Sequence, residues 1–222
     1  MGTIGILGSG NVGRALATRL HGTGHRVLVG VRDPGRELSW ADGGPDGSTD
    51  GRSDGPRRTG LAEAASAGIV VNALPGAVSV PVLRGLRPAL AGAVLLDVAN
   101  AVEQGPDGIA TALRYPRSSL AVEIQRALPE TRVVKTLNTV GPAELMADPT
   151  SLSAPLSAFL SGDDPAAKAV AVDLLGWLGW PAEWIVDLGA LSTAWWPESF
   201  VLMVRPLVAA LGPVPFGLAV AH

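Results

Sequence analysis

Thr3-Ile4-Gly5-Ile6-Leu7-Gly8-Ser9-Gly10-Asn11-Val12-Gly13 is an apolar run that passes directly into a G-x-G-x-x-G loop, and residues 14–20 continue it with helix-like spacing. The glycines therefore fall where a strand turns into a helix. In that setting Gly8 permits the tight turn, Gly10 lets the backbone approach a diphosphate, and Gly13 lets the helix pack closely on its strand. The negative charge would rest on the unsatisfied N–H groups of the helix N-terminus. With 28 glycines in 222 residues, a bare match would be weak. Its place behind a strand of the right length makes it informative. Gly8, Ser9, Gly10, Asn11 and Val12 are thus candidate cofactor-binding residues. The expected fold class is α/β, a Rossmann-type doubly wound, mostly parallel sheet with a small C-terminal helical part.

Working outward, Arg26-Val27-Leu28-Val29-Gly30-Val31 follows a Gly22-Thr23-Gly24 stop and should pair parallel to the first strand. The end of this strand meets the adenosine ribose in a dinucleotide fold, where a carboxylate would bind the 2′-OH. Here Arg32 takes that place, and a guanidinium suits a 2′-phosphate, so NADP(H) is the expected cofactor. A solvated loop arginine is the competing reading. Asp33, followed by Pro34, is assigned to the turn. Residues 35–60 lose all periodicity and become a Gly/Asp/Ser/Arg mixture, which is expected to form a mobile surface excursion. The second helix and third strand of the fold should accordingly be short or degraded. Arg57 and Arg58 are read as solvated charges rather than phosphate ligands.

Periodicity returns with a helix over 61–67 and a buried strand, Ile69-Val70-Val71-Asn72-Ala73-Leu74, stopped by Pro75-Gly76. Ligands of doubly wound sheets lie beyond the carboxyl ends of the strands, which places Leu74, Pro75 and Gly76 beside the cofactor. A helix over 78–90 leads to a strand over 93–98 and to Asn100, whose amide either bonds the cofactor or makes an ordinary Asn turn. A helix over 118–128, a strand over 132–139 with a polar end, a strand-like piece over 157–161 and a helix over 164–178 follow. Trp177, Trp180 and Trp184 are read as packing residues. The division expected is an NAD(P)-binding domain over 1–150 and a C-terminal part over 151–222.

Composition excludes several chemistries. The chain has no cysteine, hence no disulfide and no thiolate catalysis, and three histidines give no zinc cluster and no expected metal. His21 and His25 are assigned helix-end or solvent roles. A net charge of -3 without a basic run leaves no footprint for nucleic acid. The apolar stretch 200–211 is interrupted by Arg205-Pro206 and is too short to span a bilayer. No signal peptide is expected, because the first strand begins at once. A cytoplasmic protein with a small-molecule substrate and no membrane partner is the expectation.

Five blocks together resemble the family of coenzyme F420-dependent NADP oxidoreductases, also called NADPH-dependent deazaflavin reductases. They are Ile6-Leu7-Gly8-Ser9-Gly10-Asn11-Val12-Gly13, Val29-Gly30-Val31-Arg32, Asp97-Val98-Ala99-Asn100, Val133-Val134-Lys135-Thr136-Leu137-Asn138-Thr139-Val140 and Asp187-Leu188-Gly189. The resemblance implies NADP(H), with coenzyme F420 as the second candidate cofactor, a C-terminal part that helps close the cleft, and a homodimer. It places Asn138 and Thr139 beside the nicotinamide and the hydride partner, and Pro75 at the cleft wall. Gly76 stands where relatives carry a bulky residue, which would widen the pocket, and Val31 stands where a Ser or Thr helps hold the 2′-phosphate.

Hydride transfer between two bound rings asks mainly for proximity and orientation. Reducing a carbonyl or imine of a small biosynthetic intermediate would also require a proton donor. Lys135 is the candidate for that role if its head reaches the cleft. Alternation along a strand sets it on the other face from Asn138, so a structural Lys135 is favoured. Thr193 and Glu198 are secondary candidates, with Glu198 expected at the surface. Two other readings remain open: a catalytically silent dinucleotide sensor, and a non-redox enzyme such as a cyclase that shapes its substrate in an apolar cleft.

Overall fold

The computed structural model describes residues 2–35, 55–152 and 154–221. Its frame is an eight-stranded sheet, and the strands in chain order are β1 (Thr3–Leu7), β2 (Arg26–Val31), β3 (Arg57–Gly60), β4 (Ile69–Asn72), β5 (Val94–Asp97), the hairpin strands β6 (Val102–Gln104) and β7 (Ala110–Leu113), β8 (Arg132–Lys135), β9 (Ala158–Gly162) and β10 (Ile185–Asp187). Across the sheet the order is β10-β9-β8-β5-β4-β1-β2-β3, while β6 and β7 pair apart from it. β1 is parallel to β2 and β4, with Ile4 opposite Val27 and Ile69, and the parallel run extends through β5 to β8. Only the β8–β9 pair is antiparallel within the sheet. The expected α/β architecture is therefore present, and the strand order switches direction at β1, with β2 and β3 added on one side and β4 and β5 on the other.

The helices are α1 (Asn11–Gly22), α2 (Leu61–Ala65), α3 (Gly76–Gly85), α4 (Arg87–Leu90), α5 (Leu120–Ala127), α6 (Ala143–Ala147), α7 (Pro165–Leu178), α8 (Trp195–Ser199) and α9 (Val204–Leu211). Strand alternation sorts their cores. Ile4, Ile6, Val27, Val29, Val71, Leu96 and Val134 face one way, onto Leu16, Ala17 and Leu20 of α1 and Ala171, Leu174 and Leu178 of α7. Leu7, Leu28, Val70, Leu95 and Val133 face the other way, onto α2, α3 and α5. Each layer covers one side of strands that are apolar on both faces, as parallel sheets require. Local signals set several helix ends: Asp164 caps α7 by accepting from the Ala167 N–H, and Gly179 stops it at φ 96°.

Several boundaries differ from the expectations. The segment expected to be a mobile excursion lies, over 36–54, outside the described residues; at its far side a four-residue β3 completes the sheet edge. The helix expected over 78–90 is two helices, broken at Leu86. Residues 102–113, where no regular element is expected from the sequence, form the β6–β7 hairpin. β10 was not foreseen, because three residues between turns carry no usable alternation. Residues beyond 150 supply β9 and β10 to the same sheet as the earlier strands, so a boundary near 150 falls within one continuous layer. His25, assigned a helix-end or solvent role, accepts the first in part: its N–H bonds Leu20 O at the end of α1. Its ring is not solvated but buried edge-on to Trp177, 4.1 Å between centroids. Trp180 is buried and donates through Nε1 to the Met146 carbonyl, 3.0 Å. Among the described residues no helix is long and apolar enough to cross a membrane, and no cluster of His, Cys, Asp and Glu could hold a metal ion.

Candidate active site

A cavity of about 840 Å³ runs along the carboxyl ends of β2, β1, β4, β5 and β8. These are neighbours in the sheet, so with strands ~4.8 Å apart the cleft crosses roughly 19 Å. It brings together Gly8, Ser9, Gly10, Asn11, Val12, Arg32, Leu74, Pro75, Asn100, Asn138 and Thr139. Arg32 stands at the β2 end and Asn138 and Thr139 at the β8 end. Phe200, Val201 and Val204, from the C-terminal part, close the wall and were not anticipated individually. Arg32 is the only charged lining residue among those described; no histidine, tyrosine, lysine or carboxylate borders the cavity.

The glycine loop fits a dinucleotide diphosphate. Gly8 has φ +113°, and a Cβ there would lie 2.5 Å from the Ala73 carbonyl oxygen. A Cβ on Gly13 would lie 2.0 Å from the Gly8 carbonyl oxygen, so helix and loop pack backbone to backbone. A Cβ on Gly10 would meet nothing within 4 Å of the protein, which leaves the space over the helix start open to a ligand. No side chain caps α1, and its first turn contains no acidic residue. Its leading N–H groups and the positive end of its dipole therefore face the cavity uncompensated. At the end of β2, Asp33 turns its carboxylate to the Gly35 N–H, 3.0 Å, as a turn residue should, and leaves Arg32 as the charge beside the cleft. Arg57 pairs with Glu63, which also accepts from Thr59, and neither Arg57 nor Arg58 lines the cavity.

The opposite end is built by an irregular backbone. β8 stops at Lys135, the Thr136 N–H bonds the Asp97 carbonyl at 3.1 Å, and Leu137 takes φ 60°, the sole non-glycine residue with positive φ among those described. The expected strand over 132–139 thus ends early. A left-handed residue is costly outside glycine and persists where its surroundings determine it. Here it turns the chain so that Asn138 no longer follows the alternation of β8. Asn138 Nδ2 donates to Asn100 Oδ1 at 3.1 Å, and Asn100 Nδ2 donates to the Asn138 carbonyl at 2.9 Å. Asn138 Oδ1 and Thr139 Oγ1 are buried at the cavity edge without a hydrogen-bond partner among the described residues. Unpaired buried polar atoms are expensive, so a polar ligand group bonding them would remove that cost.

Four expectations are corrected here. Lys135 does not border the cavity: it is fully buried, and its ammonium donates to Asp97 Oδ2 at 2.8 Å, pairs with Glu198 Oε1 at 2.9 Å and contacts the Ala99 carbonyl. Burial alone would lower its pKa, but the two carboxylates outweigh that and raise it. A lysine so held cannot deliver a proton to the cleft, and the structural alternative describes it. Gly76 does not widen the pocket, since a Cβ there would sit 2.2 Å from the Asn100 carbonyl oxygen; the missing side chain makes room for backbone. Glu198, expected at the surface, is 4% exposed. Its Oε2 accepts from Leu120 N–H at 2.7 Å and its Oε1 from Ala121 N–H at 3.2 Å, at the start of α5. Thr193 is occupied by Ser161 Oγ and the Ala190 carbonyl, each 2.8 Å away, and lies off the cavity.

Residues 3–101, which include the glycine loop, Arg32, Pro75 and Asn100, match the family model described as NADP oxidoreductase, coenzyme F420-dependent. A solved structure from Arthrobacter sp. FB24, a candidate F420-dependent NADP reductase, is 35% identical, covers all of both chains and superposes with a TM-score of 0.88. The chain belongs to the coenzyme F420-dependent NADP oxidoreductase family. It is, by that membership, an NADP-dependent oxidoreductase. A hypothetical protein of Sinorhizobium meliloti shares the fold, at 23% identity and a TM-score of 0.69 over all of this chain and 97% of that one. The rat metalloreductase STEAP3 is 29% identical over 203 residues, which cover 91% of this chain but only 37% of the length of that relative.

Proposed function

We propose that this oxidoreductase moves a hydride between NADP(H) and a second planar ring held in the same cavity, the deazaflavin of coenzyme F420 being the first candidate. The observation that carries the reading is the absence, among the described residues, of any acid or base along the cleft apart from Arg32. Bound NADPH supplies the hydride. The α1 N-terminus receives the diphosphate and Arg32 the 2′-phosphate, while Asn100, Asn138 and Thr139 orient the nicotinamide end. Proximity and alignment are then the main contribution of the chain, and the proton that accompanies reduction of the second ring comes from water. A carbonyl or imine of a small intermediate would need a donor that Lys135, enclosed by Asp97 and Glu198, does not supply.

Stopped-time assays of NADPH oxidation against coenzyme F420, a simple ketone and a cyclic imine test the proposal. Oxidation with the deazaflavin and little with the other two is expected. Turnover of another compound without nicotinamide oxidation would point instead to the non-redox reading, and NADPH binding without any turnover to the sensor.

A further inference from the structure

The fully buried Lys135 and the Glu198 carboxylate take no part in the hydride transfer proposed above, yet they tie α8 to the paired ends of β8 and β5. Lys135 ends β8, Glu198 lies in α8, and Asp97 ends β5. Asp97 Oδ1 accepts from Asn72 Nδ2 at 2.8 Å, and Asn72 Oδ1 accepts from the Leu74 N–H at 3.3 Å, on the cavity wall. Two and three residues after Glu198 come Phe200 and Val201, which with Val204 form the C-terminal wall of the cavity. Before α8 the segment is tied to β9, where Thr193 Oγ1 donates to Ser161 Oγ at 2.8 Å; from α8 onward Trp195 Nε1 donates to the Pro116 carbonyl at 3.1 Å, and Arg205 pairs with Asp107 at an exposed site. Between Trp195 and Val204, the buried Glu198 carboxylate is thus the charged tie to the ends of β8 and β5.

We propose that Lys135 and Glu198 are positioning residues: their ion pair clamps the Phe200–Val201 wall against the end of the cavity bordered by Asn138 and Thr139, and so sets the distance between the two rings. A ring stacked on the nicotinamide needs a fixed outer wall, because small displacements in a reacting pair lose much of the rate. The clamp is directional. Glu198 accepts two α5 amide hydrogens while facing Lys135, so α8 cannot slide along α5 without giving up all these bonds. A carboxylate at the positive end of a helix dipole, beside an ammonium, is also the arrangement in which a buried charge is best compensated.

This inference rests on the hydride-transfer reading, and Glu198→Gln tests it. Gln keeps the shape but turns an N–H₂ group toward donors. Amide hydrogen exchange in the cofactor-free protein should accelerate over residues 199–204 at least tenfold, with β1 and β4 unchanged. The dissociation constant for NADPH should stay within about twofold. With coenzyme F420 as acceptor, kcat/KM should fall at least tenfold, and the isotope effect with 4-deuterated NADPH should rise as hydride transfer becomes limiting. Glu198→Asp, which retains the charge but withdraws it by one methylene, should show the same pattern more weakly and covers the case in which Gln prevents folding. Unchanged exchange over 199–204 in both variants would overturn the clamp. So would a fall in melting temperature with kcat/KM and the isotope effect untouched, the result of a purely structural role. Failure of the hydride-transfer reading is distinguishable, since the unaltered chain would then oxidise no NADPH while the exchange measurement still reports on the clamp.

Discussion

Gly10 and Gly13 stand three positions apart in one loop and answer to different constraints. Gly13 is required by the protein itself, because any side chain would enter the Gly8 carbonyl. Gly13→Ala is expected to lower stability by about 1–3 kcal/mol, the usual range for overpacking, as read from urea unfolding. Gly10 has open space above it, so Gly10→Val should leave the melting temperature nearly unchanged while weakening NADPH at least about tenfold, or ~1.4 kcal/mol, in a fluorescence titration. Comparable losses of stability in both variants would remove the basis for placing the diphosphate over Gly10. Arg32, the only charge on the cavity among the described residues, is expected to separate the two nicotinamide cofactors. Arg32→Ala should cost NADPH about 1.5–3 kcal/mol, the range for a hydrogen bond to a charged group, and NADH far less; equal losses would refute the 2′-phosphate assignment.

At the scale of elements, the functional end of the sheet is organised by the early stop of β8. Past Lys135 the strand gives way to the left-handed Leu137, and Asn138 is then held by its exchange of hydrogen bonds with Asn100 at the end of β5. The same two strands are joined beneath the cavity by the Lys135–Asp97 pair, 2.8 Å. Its pH dependence has a definite sign. Lys135 has its folded pKa raised above the ordinary 10.5, burial being outweighed by Asp97 and Glu198. Its contribution is therefore fully present below about 10.5 and is lost as pH rises through the folded value, where the folded chain still holds a proton the unfolded chain has released. Unfolding free energy in urea should stay level from about pH 8 to 10 and decline above that. The decline should disappear in Lys135→Met combined with Glu198→Gln. Glu198 carries the opposite burden: burial, joined by the Asp97 charge, raises its pKa against the pull of Lys135. Ionising it consequently costs stability as pH rises above its ordinary carboxylate range, and the α5 amides and Lys135 limit that cost.

For the whole molecule, the C-terminal part wraps back over the sheet and leaves an apolar exterior. Trp196 is 68% exposed, Met203 50% and Leu211 56%, and α9 has no buried residue. A second copy of the chain, which the family resemblance implies, is the expected cover; sedimentation equilibrium should find a dimer that Met203→Asp with Leu211→Asp weakens, and a monomer at all concentrations would exclude it. Much of the cofactor half was legible from residue order. A strand, three spaced glycines and a helix are local, and so are Pro75 and Asn100 at strand ends, because in a parallel sheet every such end falls on the same edge. The remainder depended on contacts between residues far apart in the chain. Nothing near Glu198 announced that it would meet Lys135 and the α5 N-terminus, since an isolated glutamate is normally solvated and only a partner 63 positions earlier makes its burial tolerable. Gly76 likewise read as an absent side chain until the Asn100 backbone was found in that space. What the linear order determined by itself was therefore the Rossmann frame and the glycine-lined end of the cleft, because both follow from short-range periodicity and turn chemistry. Only the tertiary structure decided which charges are buried together and which C-terminal residues close the cavity wall, because desolvation and pairing are properties of the packed whole.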